Sequence, residues 1–345
     1  MDATILLFLV QDGLINGAIY ALLGLALVLV FAVTRIIFIP QGEFVAYGGL
    51  TFALLSTGTV PGTVWLLAVF GAAAFVAELW RKRHALSLRW GVRHFAWTIV
   101  LPGAVLLLTR LLARPDQAVW INLALTLAIV APMGPYVYRI AFQPIADASI
   151  LTLLIAAVGV HLSMVGLGLV FFGAEGLRAP ALTDLSFDLG PLPVSGQSIA
   201  VLVVAAILIA ALYVFFDRML HGKALRATAI NRLGARLVGI PAANAGQLAF
   251  LLASALGAVS GVLIAPVTTI YYDTGFLIGL KGFVAAIVGG LASYPVTALA
   301  ALGVGLVEAF ASFYASNFKE VIVFVLIVPV LMWRSLQTSH FEEDE

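Results

Sequence analysis

The sequence predicts an all-α polytopic membrane protein, and three observations carry that prediction. Of 345 residues, 63% are hydrophobic and only 10% charged. The mean hydropathy is +1.12. The apolar residues also fall in runs punctuated by proline, glycine and charge. A soluble domain carries about 25% charged residues, and a chain of this composition folded in water would expose large apolar patches. A bilayer is its natural solvent, with each crossing helix using about 20 apolar residues.

The runs lie at 5–33, 43–58, 62–80, 95–113, 118–139, 149–172, 198–216, 245–269, 277–293, 295–316 and 320–334. They predict ten or eleven transmembrane or partly re-entrant helices in one transmembrane domain, 1–345. The first run follows Met1-Asp2 with no basic residues before it, and reads as a retained helix rather than a signal peptide. Runs 43–58 and 277–293 are short for a full crossing. Discontinuous helices of this kind survive only where protein or a water-lined cavity satisfies the freed backbone, and in transporters they flank the substrate path. Stretches 5–58 and 245–293 each read as a long helix followed by a short one, the pattern of a structural repeat.

Three polar segments leave the apolar pattern. Segment 81–94 holds Arg81, Lys82, Arg83, Arg89 and Arg93 and no acid. Segment 173–197 is rich in proline and glycine, with Glu175, Asp184 and Asp188 against Arg178. Segment 217–244 holds Arg218, Lys223, Arg226, Arg232 and Arg236 against Asp217. The bias of Lys and Arg toward the cytoplasm makes the first and third cytoplasmic and the second external. Counting helices from these anchors places Arg35, Arg139, Arg334 and the acidic end Glu342-Glu343-Asp344-Glu345 inside, and an odd count places the N-terminus outside. Gly13-x-x-x-Gly17 and Gly257-x-x-x-Gly261 mark places where helix backbones approach closely.

Several chemistries are excluded. The chain has no cysteine, so disulfides and thiolate metal sites are ruled out. It has no Gly-x-x-x-x-Gly-Lys-Ser/Thr phosphate loop and no His-Glu-x-x-His spacing, so it lacks those means of holding ATP or a metal. No Gly-x-Ser-x-Gly nucleophile elbow occurs, and the five histidines are scattered. His161 and Ser163 share one apolar helix, where a polar pair reads as a helix–helix hydrogen bond. An enzyme has no constellation to work with, and catalytic and metal sites are read as none.

Several stretches in the right order resemble the permeases of branched-chain amino-acid ABC importers. They are Gly13-Leu-Ile-Asn16-Gly17-Ala-Ile-Tyr20, Gln41-Gly42-Glu43, and Gly222-Lys-Ala-Leu-Arg226-Ala227-Thr-Ala229-Ile-Asn231 with Ala235-Arg-Leu-Val-Gly239-Ile240. Gly279-Leu-Lys281-Gly-Phe-Val-Ala-Ala286, Gly303-Val-Gly305-Leu-Val-Glu308 and Phe318-Lys-Glu320 complete the set. The resemblance covers about 5–60 and 118–334. The chain departs from the family in two places: Phe38-Ile39-Pro40-Gln41 replaces the usual Asn-Phe-Ala-His/Gln, and 78–117 reads as an extra helix-containing insertion. The resemblance implies a bacterial or archaeal cytoplasmic-membrane importer subunit. Its implied partners are a second related permease, two cytoplasmic ATPases that carry ATP and Mg, and an external solute-binding protein, with no cofactor on this chain.

In importers of this superfamily a short cytoplasmic coupling helix meets the ATPase, and the resemblance puts it at 224–241. Small residues Ala227, Ala229 and Ala235, with Gly239 before Pro241 and the flanking Arg226, Asn231 and Ile240, suit a helix lying in a cleft and ending at glycine. A basic loop facing anionic headgroups is the competing reading. Candidate path residues are Asn16, Tyr20, Gln41, Gly42, Glu43 and Lys281. Glu43 either lines the path or simply meets the helix macrodipole. Asn16 and Tyr20 lie one turn apart on one face, and either line the path or bond across a helix pair. Lys281 is a costly intramembrane cation that either serves function or snorkels to the interface. Glu308 reads as a structural partner. A sugar permease of the same superfamily, a stand-alone ion-coupled transporter and a membrane-assembly scaffold remain as alternatives. A stand-alone ion-coupled transporter would need acid or histidine relays, and Glu308 is the one carboxylate deep in a run.

Overall fold

A computed structural model describes residues 3–83, 88–115, 117–183, 185–189 and 192–339. His84, Asp184, His340 and the acidic stretch 342–345 lie outside the described residues. Among those described, nine helices are long and apolar enough to cross a membrane. They are α1 (Ala3–Thr34), α3 (Thr63–Arg81), α4 (Gly91–Leu112), α5 (Val119–Ile145), α6 (Ile150–Phe172), α7 (Gly196–Arg218), α10 (Ala242–Ile264), α12 (Tyr294–Tyr314) and α13 (Ser316–Trp333). Two shorter ones, α2 (Gln41–Ser56) and α11 (Thr274–Val288), occupy the two short apolar runs. Between α7 and α10 lie α8 (Leu220–Ile230) and α9 (Arg232–Leu237). The eleven apolar runs of the sequence thus correspond to eleven helices, and the protein is an all-α, multi-pass membrane protein. The only paired strands among the described residues are a small hairpin, β1 (Ser186–Leu189) and β2 (Leu192–Ser195), within the polar segment before α7.

The bundle has a basic end and an opposite end. At the basic end Arg139 donates to Gln247 and pairs with Glu78, Arg236 pairs with Asp147, and Arg35 and Arg226 share one small cavity. At the other end Leu177 pairs in β fashion with Ile270, Arg178 donates to the carbonyls of Pro266 and Val267, and Gln197 bonds Leu182 and Leu263. The first turns of α1, at Phe8, Leu9 and Asp12, border the same cleft as Arg178 and Gln197. The start of α1 and the Arg178 and Gln197 parts of segment 173–197 therefore share an end, opposite Arg35, Arg139, Arg226 and Arg236.

Both small-residue motifs seat helices. Gly13 and Gly17 of α1 face the backbone of α12 at Leu306, Gly305 and Leu302, and Gly257 and Gly261 of α10 face α2 at Phe44, Gln41, Val45 and Gly49. With little hydrophobic drive between helices in lipid, close packing of this kind holds a bundle together. α1 and α10, each paired in sequence with a short helix, also pack on one another, with α1 against both short helices and α10 against α2.

Of the two short helices, α2 begins inside the bundle. α1 ends at Thr34, Arg35 takes a left-handed conformation (φ 62°) and the chain runs without helix to Gln41. This stretch is protein-covered: Ile36 and Phe38 are buried, and the Phe38 ring lies 4.6 Å from that of Phe250 and 5.9 Å from that of Phe142. Gln41 then donates through Nε2 to the carbonyl of Ala253, midway along α10, at 2.9 Å. The shortness of α2 follows, since it starts at mid-depth rather than at the membrane surface. Sixteen residues span about 24 Å at 1.5 Å per residue, less than a full crossing.

Candidate functional site

The first turns of α2 and α11 meet. A Cβ placed on Gly42 would overlap the carbonyl of Gly275, and one on Gly275 would overlap the carbonyl of Gly42. Gly279, one turn further along α11, also lies against Gly42. Only residues without side chains allow two backbones this close. The positive dipole ends of two helices thus meet in one region of the protein, with the N–H groups of Gln41 and Glu43 bonded to the carbonyls of Phe38 and Pro40, and those of Thr274 and Phe276 to the carbonyls of Tyr271 and Asp273.

Around this crossing sit Gln41 and Glu43, both fully buried. The Glu43 carboxylate lies 3.0 Å from Nδ1 of His161, in the middle of α6. The pair is close but not aligned as a hydrogen bond, and both Glu43 oxygens, like Gln41 Oε1, have no hydrogen-bond partner among the described residues. The His161 ring leans on Phe276 of α11 at 4.6 Å between centroids. Tyr47, one turn beyond Glu43, donates to the carbonyl of Met164 at 2.6 Å. Glu43 therefore sits at a helix start, as the sequence suggests, but its partner is a histidine rather than the first-turn backbone. That pairing is illegible in the sequence, because only the packing of α6 on α2 brings the two residues together.

Lys281 does not snorkel. It is 6% exposed, and its Nζ lies 2.5 Å from Glu308 Oε1 and 3.2 Å from Glu320 Oε1. Tyr20 donates to the other Glu308 oxygen at 2.5 Å, and its ring lies 5.8 Å from the ammonium. One network thus ties α1, α11, α12 and α13 together. Glu308 is the structural partner the sequence suggests, with Lys281 and Tyr20 as its ligands. Asn16, one turn before Tyr20, is half-buried.

Segment 217–244 holds two helices, α8 and α9, where the sequence suggests one spanning 224–241. Asn231 breaks them: its backbone is extended (φ −145°) and its Oδ1 accepts from Gly234 N at 2.8 Å, capping α9. Two residues past the end of α9, Gly239 takes a left-handed conformation (φ 86°) before Pro241. The small residues face inward more than outward. Ala235 is buried, Ala227 and Ala229 are half-buried, and Ile240 is half-buried as well. The outward face instead carries Ile230, Leu233, Leu237 and Val238, each at least 69% exposed, with Arg226 and Asn231 exposed beside them. Arg232 and Arg236 anchor this unit to the turn before α6, through the Ala146 carbonyl and Asp147. Among the described residues no group of three or more histidine or carboxylate side chains is placed to hold a metal ion.

Residues 9–331 match a family model described as "Branched-chain amino acid transport system / permease component". The high-affinity branched-chain amino acid transport system permease protein BraD of Pseudomonas aeruginosa is 30% identical over 218 residues, covering 61% of this chain and 71% of that one. The protein LivH of the same description from Escherichia coli K12 is 26% identical over 344 residues, covering 96% and 95%. The corresponding Salmonella typhimurium protein is 25% identical over the same extent. A solved structure, PsaBC from Streptococcus pneumoniae in complex with Fab, aligns over 93% of this chain and 89% of that one at 12% identity, with a TM-score of 0.36.

Proposed function

The chain belongs to the family of branched-chain amino-acid transport-system permease components, and from that premise we propose its solute, its path and its full set of partners. It is the membrane-embedded permease subunit of an ATP-binding-cassette importer, a transport component and not an enzyme. Such a subunit works with ATPase and binding-protein partners. The fuller assembly is a second homologous permease, two cytoplasmic ATPases and an extracytoplasmic solute-binding protein, with ATP and Mg on the ATPases and no cofactor here.

The solute is a branched-chain amino acid or a related small amphipathic acid. One observation carries this reading: the first turns of α2 and α11 meet at Gly42 and Gly275 beside a fully buried, incompletely bonded Glu43. A zwitterion presents a carboxylate and an ammonium a few bonds apart. Helix N-termini favour the carboxylate, and Glu43 favours the ammonium. Gln41, Gly42 and Glu43 then line the path, while Tyr20 and Lys281, with Asn16 nearby, set the helices that flank it.

The coupling surface is α8 and α9, from Arg226 through Ile240. Exposed Leu233 and Leu237, one turn apart on α9, form an apolar stripe outside the spanning helices. Such a stripe suits insertion into a cleft on another protein.

The test is uptake into proteoliposomes holding this chain with the ATPases, second permease and binding protein encoded beside it. ATP-dependent accumulation of leucine, isoleucine or valine, competed by one another and not by a sugar, supports the proposal. Accumulation of a sugar alone, or accumulation driven by an ion gradient without ATP, overturns it.

A further inference from the structure

A cavity of about 950 Å³ opens at the basic end between the end of α3, the start of α4, the last turns of α5 and the start of α10. Arg81, Lys82, Arg93 and Arg139 line it, with Glu78 as the one carboxylate and His94 and His221 beside them. Glu78 is buried and already engaged: it lies 3.5 Å from Arg81, 3.5 Å from Arg139 and 3.3 Å from His94. One carboxylate among four permanent cations leaves a strong positive excess. Arg139 is 12% exposed at its side chain and forms the floor, while Arg81, Lys82 and Arg93 stand exposed at the mouth.

Gln143, Asn244 and Gln247 extend the polar part of the lining, and one side is apolar: Trp97, Pro135, Leu248 and Leu251 continue from the cations toward the middle of the spans. Trp97 and Trp80 are exposed near the same level, where tryptophan marks a membrane–water boundary. The cavity is therefore amphipathic along its depth, with cations where headgroups lie and apolar side chains where acyl chains begin. A soluble-anion site has no use for the second feature. Basic pockets between spanning helices on the cytoplasmic side fit the headgroups of anionic lipids.

We infer that this cavity binds a phosphate group, carried by an anionic phospholipid whose acyl chain lies along Trp97 and Leu251. The outer wall of the site is the start of α4, so the inference gives the 78–117 segment a role: it closes a lipid site against the core of the permease. Lys82 and Arg93 supply the headgroup contacts together with Arg81, and Glu78 holds Arg81 and Arg139 in place.

The experiment is a thermal-unfolding titration of the purified full chain in neutral detergent with phosphatidylglycerol, phosphatidylcholine or inorganic phosphate. The double variant Arg81→Gln/Arg93→Gln and the control Arg218→Gln/Lys223→Gln are titrated in parallel. Phosphatidylglycerol raises the wild-type midpoint saturably and phosphatidylcholine does not. Each cation near a headgroup contributes about 1 kcal/mol toward anionic lipid, so losing two weakens the apparent affinity on the order of 30-fold, and the control pair retains it. An equal shift from inorganic phosphate assigns the phosphate to a soluble anion and overturns the lipid as its carrier. Equal shifts from phosphatidylcholine, or an unchanged response in the double variant, overturn the site altogether. Native mass spectrometry of the wild-type chain is a second readout that needs no variant: retained phosphatidylglycerol supports the inference, and release of every anionic lipid under conditions that keep the chain folded contradicts it.

Discussion

Replacing Lys281 with methionine separates a structural charge network from a transport residue. Lys281 and Glu308 have side chains only 7% and 9% exposed, so both depend on each other for their stability. Removing one partner of a buried pair costs about 3–5 kcal/mol, because the other is left charged and uncompensated. The two ends are not equivalent. Without Lys281, Glu308 keeps only the Tyr20 hydroxyl, whereas without Glu308, Lys281 keeps Glu320 at 3.2 Å. Lys281→Met therefore falls at the upper end of that range and Glu308→Gln below it. The double variant costs less than the sum, since neither charge is stranded, with a coupling of at least about 2 kcal/mol, toward the upper part of the range for contacting residues. Tyr20→Phe removes a hydrogen bond to a charged group, worth about 1.5–3 kcal/mol. The assay is thermal unfolding of the purified chain for the single and double variants, alongside uptake by the assembled importer. A Lys281→Met chain with an unchanged unfolding midpoint and abolished uptake would refute this reasoning and place Lys281 in the path.

Gly42→Ala introduces a Cβ that meets the Gly275 backbone, which cannot rotate away as a side chain does. It should destabilise the chain by about 1–3 kcal/mol or more, while Gly303→Ala, with open space around its Cβ, should be neutral or stabilising in the same unfolding assay. Single cysteines at Arg83 and Arg232 should resist an impermeant maleimide in intact cells and one at Thr183 should react; the cysteine-free chain gives no background, and labelling at 232 from outside would invert the topology. Leu237→Asp should reduce co-purification of the ATPases and ATPase stimulation more than Arg232→Gln, since exposed ion pairs contribute only about 0–1 kcal/mol. Equal retention of ATPases by both variants would remove α9 from the interface. Tryptophan at Gly239 is a poorer probe, because its φ of 86° strains any side chain there.

The bundle was legible because spanning helices are encoded by local composition. Each apolar run needs only its own residues to be recognised, and even the shortness of α2 and α11 is written in the lengths of runs 43–58 and 277–293. The glycine motifs were legible as packing surfaces, but their partners were not: nothing near Gly13 points to Leu306. The same limit applies to the charges. Glu43 and His161 each stand alone in the sequence, and Glu78, His94 and Arg139 read as isolated polar residues at the edges of three separate runs. In the fold each becomes one member of a buried pair or cluster, since a charge in an apolar interior is retained only with a partner. A search for every ionisable residue inside an apolar run would have gathered these candidates, though not their pairings. In segment 217–244 the alanines stand out for their size, yet Ala235 packs inward. The signal for two helices was Asn231 itself, an N-capping residue in the middle of the stretch.

The claim that solute passes where α2 and α11 meet is tested most directly by Glu43→Gln in the reconstituted importer. Glutamine keeps the shape and removes the charge, so assembly, ATPase content and the unfolding midpoint serve as internal controls. The account predicts an intact complex whose ATP-driven uptake of branched-chain amino acids falls at least about tenfold, the equivalent of about 1.4 kcal/mol. Uptake at the wild-type rate by a fully assembled Glu43→Gln complex would contradict it and move the path away from the crossing.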